Sequence, residues 1–207
     1  TLLWIGIIFA AFSTLADLLL LYHPAGGSEK GTYQFLKEIP LWRIHAGAWT
    51  GILCLPFELA GVWVLTRYLA KTHDFLANMI WLIGFFLMFP GVVYHAGVYC
   101  IGVFVQDPQT NINSLQLIIR FLEQIVSIMV VGFFCISGFF SWLVLSGKTI
   151  FPKNFVFVTP VLIYLICLML YFTFPLIGNI LLPAGFNLSL LILFIRLKLW
   201  IPEEKIS

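Results

Sequence analysis

Long hydrophobic runs, separated by short polar or proline-containing stretches, repeat along the whole chain. Most runs have about 20 residues or more, enough for one helix to cross the roughly 30 Å hydrocarbon core of a bilayer. The breaks carry turn signals such as His23-Pro-Ala-Gly-Gly27 and the polar stretch 106–113. The pattern therefore predicts six helices, at about 2–22, 41–68, 75–105, 114–146, 155–174 and 184–200.

The amino-acid composition indicates the structural class of the protein. Of the 207 residues 61% are hydrophobic and 10% are charged, whereas soluble domains carry about 25% charge. We expect an all-α, polytopic transmembrane bundle that forms a single domain over residues 1–207, with the lipid bilayer as its main partner. The net charge is only +2 and no polybasic run occurs, so nucleic acid is not an expected partner.

The lysines and arginines near the helix ends are unevenly distributed. Cytoplasmic loops of membrane proteins carry an excess of these residues. One side would hold seven of them and the other four, which predicts that both termini are cytoplasmic. The seven are Arg67, Lys71, Lys148, Lys153, Arg196, Lys198 and Lys205, and the four are Lys30, Lys37, Arg43 and Arg120.

Three helices share a stripe of small residues that ends on a titratable side chain. Residues at i, i+4, i+7 and i+11 lie on one helix face, and small residues allow close helix packing in membranes. We therefore expect Asp17, Glu58 and His95 to point into the bundle. The stripes are Gly6, Ala10, Ser13 and Asp17; Gly47, Gly51, Cys54 and Glu58; and Gly84, Met88, Gly91 and His95.

His95 lies within an apolar run, just after Pro90-Gly91. An ionisable side chain at such a place is expensive and marks a candidate functional site. The alternative is a structural role, in which a neutral imidazole is hydrogen-bonded to a neighbour. The same two interpretations apply to Asp17 and Glu58, which burial can keep protonated while they bridge helices.

The fourth helix carries a polar stripe as well, in which Arg120 and Glu123 are spaced to form an i,i+3 ion pair. At about 1.5 Å per residue, His95 and Glu123 lie roughly 13 Å below the outer helix ends, and Asp17 roughly 8 Å. These depths predict one polar cavity in the outer half of the bilayer. Its candidate ligand-binding residues are Asp17, His95, Arg120, Glu123 and Asn187, with His45, Glu58 and Tyr94 as secondary candidates.

A metal site is one possible use of these residues, since Asp17, His95 and Glu123 would suit zinc, manganese or iron. However, no motif of the HExxH kind places two ligands on one helix. The sequence therefore assigns no metal and no cofactor.

Several phrases resemble a family of small, uncharacterised bacterial six-helix integral membrane proteins. The resemblance implies a multi-pass protein of the bacterial inner membrane and brings no known activity. Its motif residues Asp17, Arg43, His95 and Asn187 overlap with the candidates above. The phrases are Ala16-Asp17, Ile39-Pro-Leu-Trp-Arg-Ile-His-Ala-Gly47, Gly61-Val-Trp63, Gly91-Val-Val-Tyr-His95 and Leu182-Pro-Ala-Gly-Phe-Asn187.

Three functions remain open. The first is binding or transport of an amphipathic small molecule or lipid, with His95, Asp17 and Arg120 as polar anchors. The second is a membrane-embedded hydrolase of a lipid-like substrate, assisted by a metal or by a His/Asp pair in which His95 is the base or a ligand. The third is an accessory subunit that packs against another membrane protein.

Overall fold

The computed structural model describes residues 1–25, 33–107, 109 and 112–201, and these residues form helices and connecting turns without β-strands. Two short 3-10 turns, Gln34–Lys37 and Lys153–Val158, precede α2 and α5. The α-helices are α1 (Leu2–Leu21), α2 (Leu41–Ala70), α3 (Asp74–Gln106), α4 (Ile112–Leu145), α5 (Pro160–Thr173), α6 (Pro175–Leu181) and α7 (Gly185–Trp200).

Four helices, α1 to α4, are long and apolar enough to cross a membrane. The pair α6 and α7 passes the same test together, but the two are bent by 77° at the break between them. With 14 residues, α5 is apolar but shorter. The described residues thus provide four candidate spans, or five if the bent pair is one span, where the hydrophobic pattern predicts six.

Prolines explain the two places where the predicted helices are wrong. The helix expected at 155–174 starts only at Pro160, because the residue before a proline is driven out of the helical region and Thr159 is extended (φ −67°, ψ 144°). The expected link 175–183 instead contains α6, which Pro175 starts after Phe174 has left the helical conformation. The other five predicted helices are confirmed, with ends that differ by at most two residues.

The small-residue stripes face the bundle interior, as their spacing predicts, and all twelve stripe residues are buried. The approach of α1 to α2 is so close that a Cβ added to Gly6 would lie 2.6 Å from the Cα of Gly61. In a membrane, such contacts replace the hydrophobic effect as the source of helix association.

The last helix, α7, runs antiparallel to α1. At one end Asn187 contacts Asp17, and towards the other end Phe194 packs beside Gly6. Beyond it the Lys198 ammonium lies 5.7 Å from the centre of the Trp4 ring. The start of α1 and the end of α7 are therefore at the same end of the bundle.

A polar layer separates two hydrophobic cores. Along α1, Leu3, Ile7 and Ala10 belong to one core and Leu20 and Leu21 to the other. Ser13 and Asp17 lie between them, and Glu58 and His95 occupy the corresponding levels of α2 and α3. The titratable groups of the three stripes are thus held at neighbouring levels inside the bundle.

Arg43, which the sequence placed only among the charged residues near the helix ends and in a motif, holds the end of α1. Its Nε donates to the Leu19 carbonyl at 2.6 Å, and its Nη2 donates to the carbonyls of Leu18, at 2.8 Å, and Tyr22. The last carbonyls of a helix have no partner within the helix, and the helix dipole favours a cation there. The guanidinium therefore fixes α1 against the start of α2.

Candidate functional site

Three polar side chains from three helices meet in the polar layer. Asn187 Nδ2 donates to Asp17 Oδ2 at 2.8 Å, and His95 Nε2 lies 3.3 Å from Asp17 Oδ1. The exposed fractions are only 5% for Asp17, 2% for His95 and 7% for Asn187. A buried carboxylate needs polar partners to offset its lost hydration, and Asp17 has one at each oxygen.

The other edge of the His95 ring packs on the backbone of α2. A Cβ added to Gly51 would lie 2.2 Å from His95 Nδ1, and that nitrogen has no hydrogen-bond partner among the described residues. Because Nε2 faces Asp17, we assign the ring proton to Nε2. With Nδ1 buried against α2 and Nε2 facing Asp17, His95 is suited to holding Asp17 in place.

A cavity of about 400 Å³ lies beside this group, a volume within the range of small-molecule sites. Most of its wall is apolar, formed by leucine, methionine, valine and phenylalanine side chains. Its polar and titratable lining residues are Asp17, Tyr33, Tyr94, His95, Glu123, Tyr164 and Asn187.

Aromatic residues form two sides of the cavity. The hydroxyl oxygens of Tyr33 and Tyr94 are 3.4 Å apart, and the Tyr33 backbone is left-handed (φ 52°). Burial raises the pKa of Tyr33, and the Glu123 carboxylate adds to the increase, so this phenol is neutral at neutral pH. On the other side, the Phe186 ring stacks on the Tyr164 ring with 4.4 Å between ring centres, and its centre lies 4.8 Å from that of the Phe133 ring.

The cavity has an open side next to α4. The first half of α4 packs on α3, and in the described part of the chain it makes no extensive contact with α6 or α7. Its links to the second half of the chain come further along, where the Phe133 ring lies beside Phe186 and the Val161 N–H donates to Ser137 Oγ at 3.1 Å. Glu123 lines the cavity on this side and is itself exposed.

Arg120, expected in the same cavity, does not line it. At about 100° per residue it lies roughly 200° around α4 from Leu122, which is fully buried against the bundle, and Arg120 is exposed. The expected ion pair with Glu123 is also absent from the contacts of the described residues. The cavity lining described by the structure therefore contains acids without a lysine or arginine.

Of the three secondary candidate residues, only one lines the cavity. Tyr94 lines the cavity, whereas His45 packs against Tyr99, with 5.1 Å between ring centres, in a shallow surface groove. Glu58 is fully buried outside the cavity, near Ser13, and neither carboxyl oxygen has a hydrogen-bond partner among the described residues. An unpaired buried carboxyl is far cheaper as the neutral acid, which favours a structural role for Glu58.

The metal set suggested by the sequence is not assembled. In the described ranges no three histidine, cysteine, aspartate or glutamate side chains are grouped closely enough to hold a metal ion. Asp17 and His95 contact each other, and Glu123 lies on the open side of the cavity.

Sequence reasoning missed Tyr33, Tyr164 and the contact between Gly51 and His95. The two tyrosines resemble other aromatic residues of an apolar chain, so no local signal distinguished them. For Gly51 a signal existed, because it belongs to the stripe that ends at Glu58. That stripe was interpreted as a helix contact, whereas the glycine accommodates a ring.

The fold and the cavity define a class: a helical bundle with membrane-length apolar helices around a partly enclosed cavity that has mostly apolar walls and a few polar side chains. Residues 1–204 match DUF6796, a family of unknown function, and the chain belongs to that family. No curated protein and no solved structure matches it.

Proposed function

We propose that this protein binds an amphipathic small molecule or lipid in the cavity beside Asp17, His95 and Asn187, and that it binds or transports this ligand within the outer half of the bilayer. One observation carries the proposal: a buried, fully partnered carboxylate borders a cavity of about 400 Å³ with mostly apolar walls. An amphiphile matches both parts of such a wall, since its tail contacts the apolar side chains and its head the polar ones.

The open side of the cavity supports the same ligand class. Beside Glu123, α4 stands away from α6 and α7, so an entering molecule would pass between helices and not through the loops. Opposite this gap, Tyr33 covers the cavity, and Gln106 Nε2 fastens the segment after Tyr33 by donating to the carbonyls of Leu36 and Ile39 at 2.9 Å. A route from the bilayer suits a molecule that already partitions into lipid.

The proposal includes a topology of six crossings, with both termini cytoplasmic, in the bacterial inner membrane. For the fifth crossing, α5 starts beside Ser137, inside the bundle, so that the turn Lys153–Val158 supplies the rest of the span. The antiparallel pairing of α1 and α7 favours termini on one side. Lys30 and Lys205 lie outside the described residues, and the other lysines and arginines favour a cytoplasmic side by six to three.

Binding is favoured over hydrolysis because the nitrogens of His95 face Asp17 and Gly51. A general base must reach the proton it removes, and here Nδ1 is buried against α2 while Nε2 already faces Asp17. The cavity also favours binding over a purely accessory role, since a packing subunit has no need for an internal space of this size.

The experiment uses a neutral dansyl amide with a dodecyl chain, added to the protein in nanodiscs. Energy transfer from the seven tryptophans should saturate if the probe occupies a defined site. The variant Val126→Phe with Met129→Phe fills the cavity from α4. The matched control, Leu117→Phe with Val131→Phe, adds the same ring type at exposed positions of α4.

We expect saturable transfer in the natural protein and in the control, and only a linear, partition-like signal in the cavity-filled variant. Equal saturation in all three proteins would show that the probe binds elsewhere and would overturn the proposal.

A further inference from the structure

The charge of the cavity lining is unbalanced. Asp17 and Glu123 contribute two negative charges, and the described lining contains neither lysine nor arginine. If His95 is neutral the formal charge is −2, and if it is protonated the charge is −1. The lining is negative in both states.

The nearest arginines do not correct this imbalance. The Arg43 guanidinium is committed to three carbonyls at the end of α1. Arg120 is exposed, does not line the cavity and forms no ion pair with Glu123 among the described residues. Inside a low-dielectric site an uncompensated carboxylate attracts a cation more strongly than it does in water.

The aromatic residues of the lining suit the same kind of ligand. The cavity that contains the acidic side chains is also lined by Tyr33, Tyr94, Tyr164, Phe133 and Phe186. The faces of aromatic rings are electron-rich and attract ammonium groups, and rings grouped around a carboxylate are typical of sites for organic cations. A phosphate or carboxylate headgroup would find no positive partner among the described lining residues.

We propose that the ligand is an amphiphile with a cationic ammonium headgroup, which Glu123 and Asp17 attract and the tyrosines surround, while its tail lies along the apolar wall. This assignment rests on the proposed function. Asp17 is fixed by Asn187 and His95 and acts as a permanent anchor. Glu123, exposed on the open side, selects the charge of what enters.

The test compares headgroups on one chain length, by displacement of the neutral dansyl probe from protein in zwitterionic nanodiscs. The competitors are dodecyltrimethylammonium, dodecylammonium, dodecyl maltoside and dodecanoate. Tetramethylammonium, which has no tail, separates an amphiphile site from a site for free organic cations. Glu123→Gln removes the selecting charge and Glu123→Lys reverses it. Arg120→Gln is the matched control, three residues away and outside the cavity.

We expect the two cations to displace the probe at about fivefold lower concentration than dodecanoate, the upper end of the effect of one exposed charge pair. Tetramethylammonium should be ineffective. The preference should weaken in Glu123→Gln, where Asp17 alone remains, disappear in Glu123→Lys and persist unchanged in Arg120→Gln.

The outcomes separate the two proposals. Failure of the dansyl probe to saturate would overturn the binding function itself. Saturable binding without a preference for cations, or a preference that is unchanged in Glu123→Gln, would overturn the ligand class and leave binding intact. If tetramethylammonium displaced the probe as effectively as the two tailed cations, the proposal that the ligand is an amphiphile would be overturned.

Discussion

The imidazole of His95 lies directly on the backbone of Gly51, and this contact can be tested by adding a single methyl group. In Gly51→Ala the new Cβ would lie 2.2 Å from His95 Nδ1 and 2.3 Å from Cε1. An ordinary contact between such atoms is about 3.4 Å, so the ring has to move by roughly 1.2 Å. The contact of 3.3 Å between His95 Nε2 and Asp17 Oδ1 would not survive a shift of that size.

Three effects combine in the free energy of unfolding. Overpacking at a buried site costs about 2 kcal/mol, and loss of a buried contact to a carboxylate costs about 2 kcal/mol. Alanine in place of glycine within a helix returns about 1 kcal/mol. We therefore expect Gly51→Ala to destabilise the protein by about 3 kcal/mol.

The matched control is Gly138→Ala in α4, where an added Cβ meets nothing within 4 Å. It should leave stability unchanged or raise it by up to about 1 kcal/mol. Both variants are measured by equilibrium unfolding in mixed detergent micelles, and saturable binding of the dansyl probe is followed in parallel. Probe binding should weaken in Gly51→Ala only.

A double variant makes the reasoning refutable. Once His95→Ala has removed the ring, the methyl group added at position 51 has free space, so the two changes should be strongly non-additive. Additive losses, or equal effects of the changes at Gly51 and Gly138, would show that the imidazole does not rest on Gly51.

Three further changes test other parts of the structure by the same unfolding measurement. Arg43→Met should cost about 3 kcal/mol because the final carbonyls of α1 lose their donors, whereas Arg67→Met, at the other end of α2, should cost less than about 1 kcal/mol; equal losses would contradict the capping role. Asn187→Leu should cost about 2 kcal/mol by leaving one oxygen of Asp17 without a donor, and unchanged stability would mean that the amide contributes nothing. Glu58→Leu should be neutral or stabilising by about 1 kcal/mol, because it removes a carboxyl group without hydrogen-bond partners; a large loss would indicate a partner that the described residues do not contain.

The helical class and most helix bounds follow from the sequence alone, because a bilayer requires backbone hydrogen bonds to be satisfied within the helix and the apolar length to match its thickness. The inward direction of Asp17, Glu58 and His95 also follows from it, since small residues at helical spacing mark the packed face wherever the rest of the helix is bulky. These are local properties of each helix.

Only the tertiary structure decides which side chains of different helices come into contact. The polar stripe of α4 does not tell which of its members meet the other helices, and only the packing against α3 leaves Glu123 at the cavity and Arg120 outside it. The tyrosines of the lining come from a turn and two separate helices, and Arg43 reaches carbonyls more than 20 positions earlier in the chain. The sequence determined that the stripe residues Asp17, Glu58 and His95 are buried, because the small residues beside them mark the packed face of each helix. The structure decided which of them share a cavity, and hence its charge, because that depends on how several helices are rotated against one another.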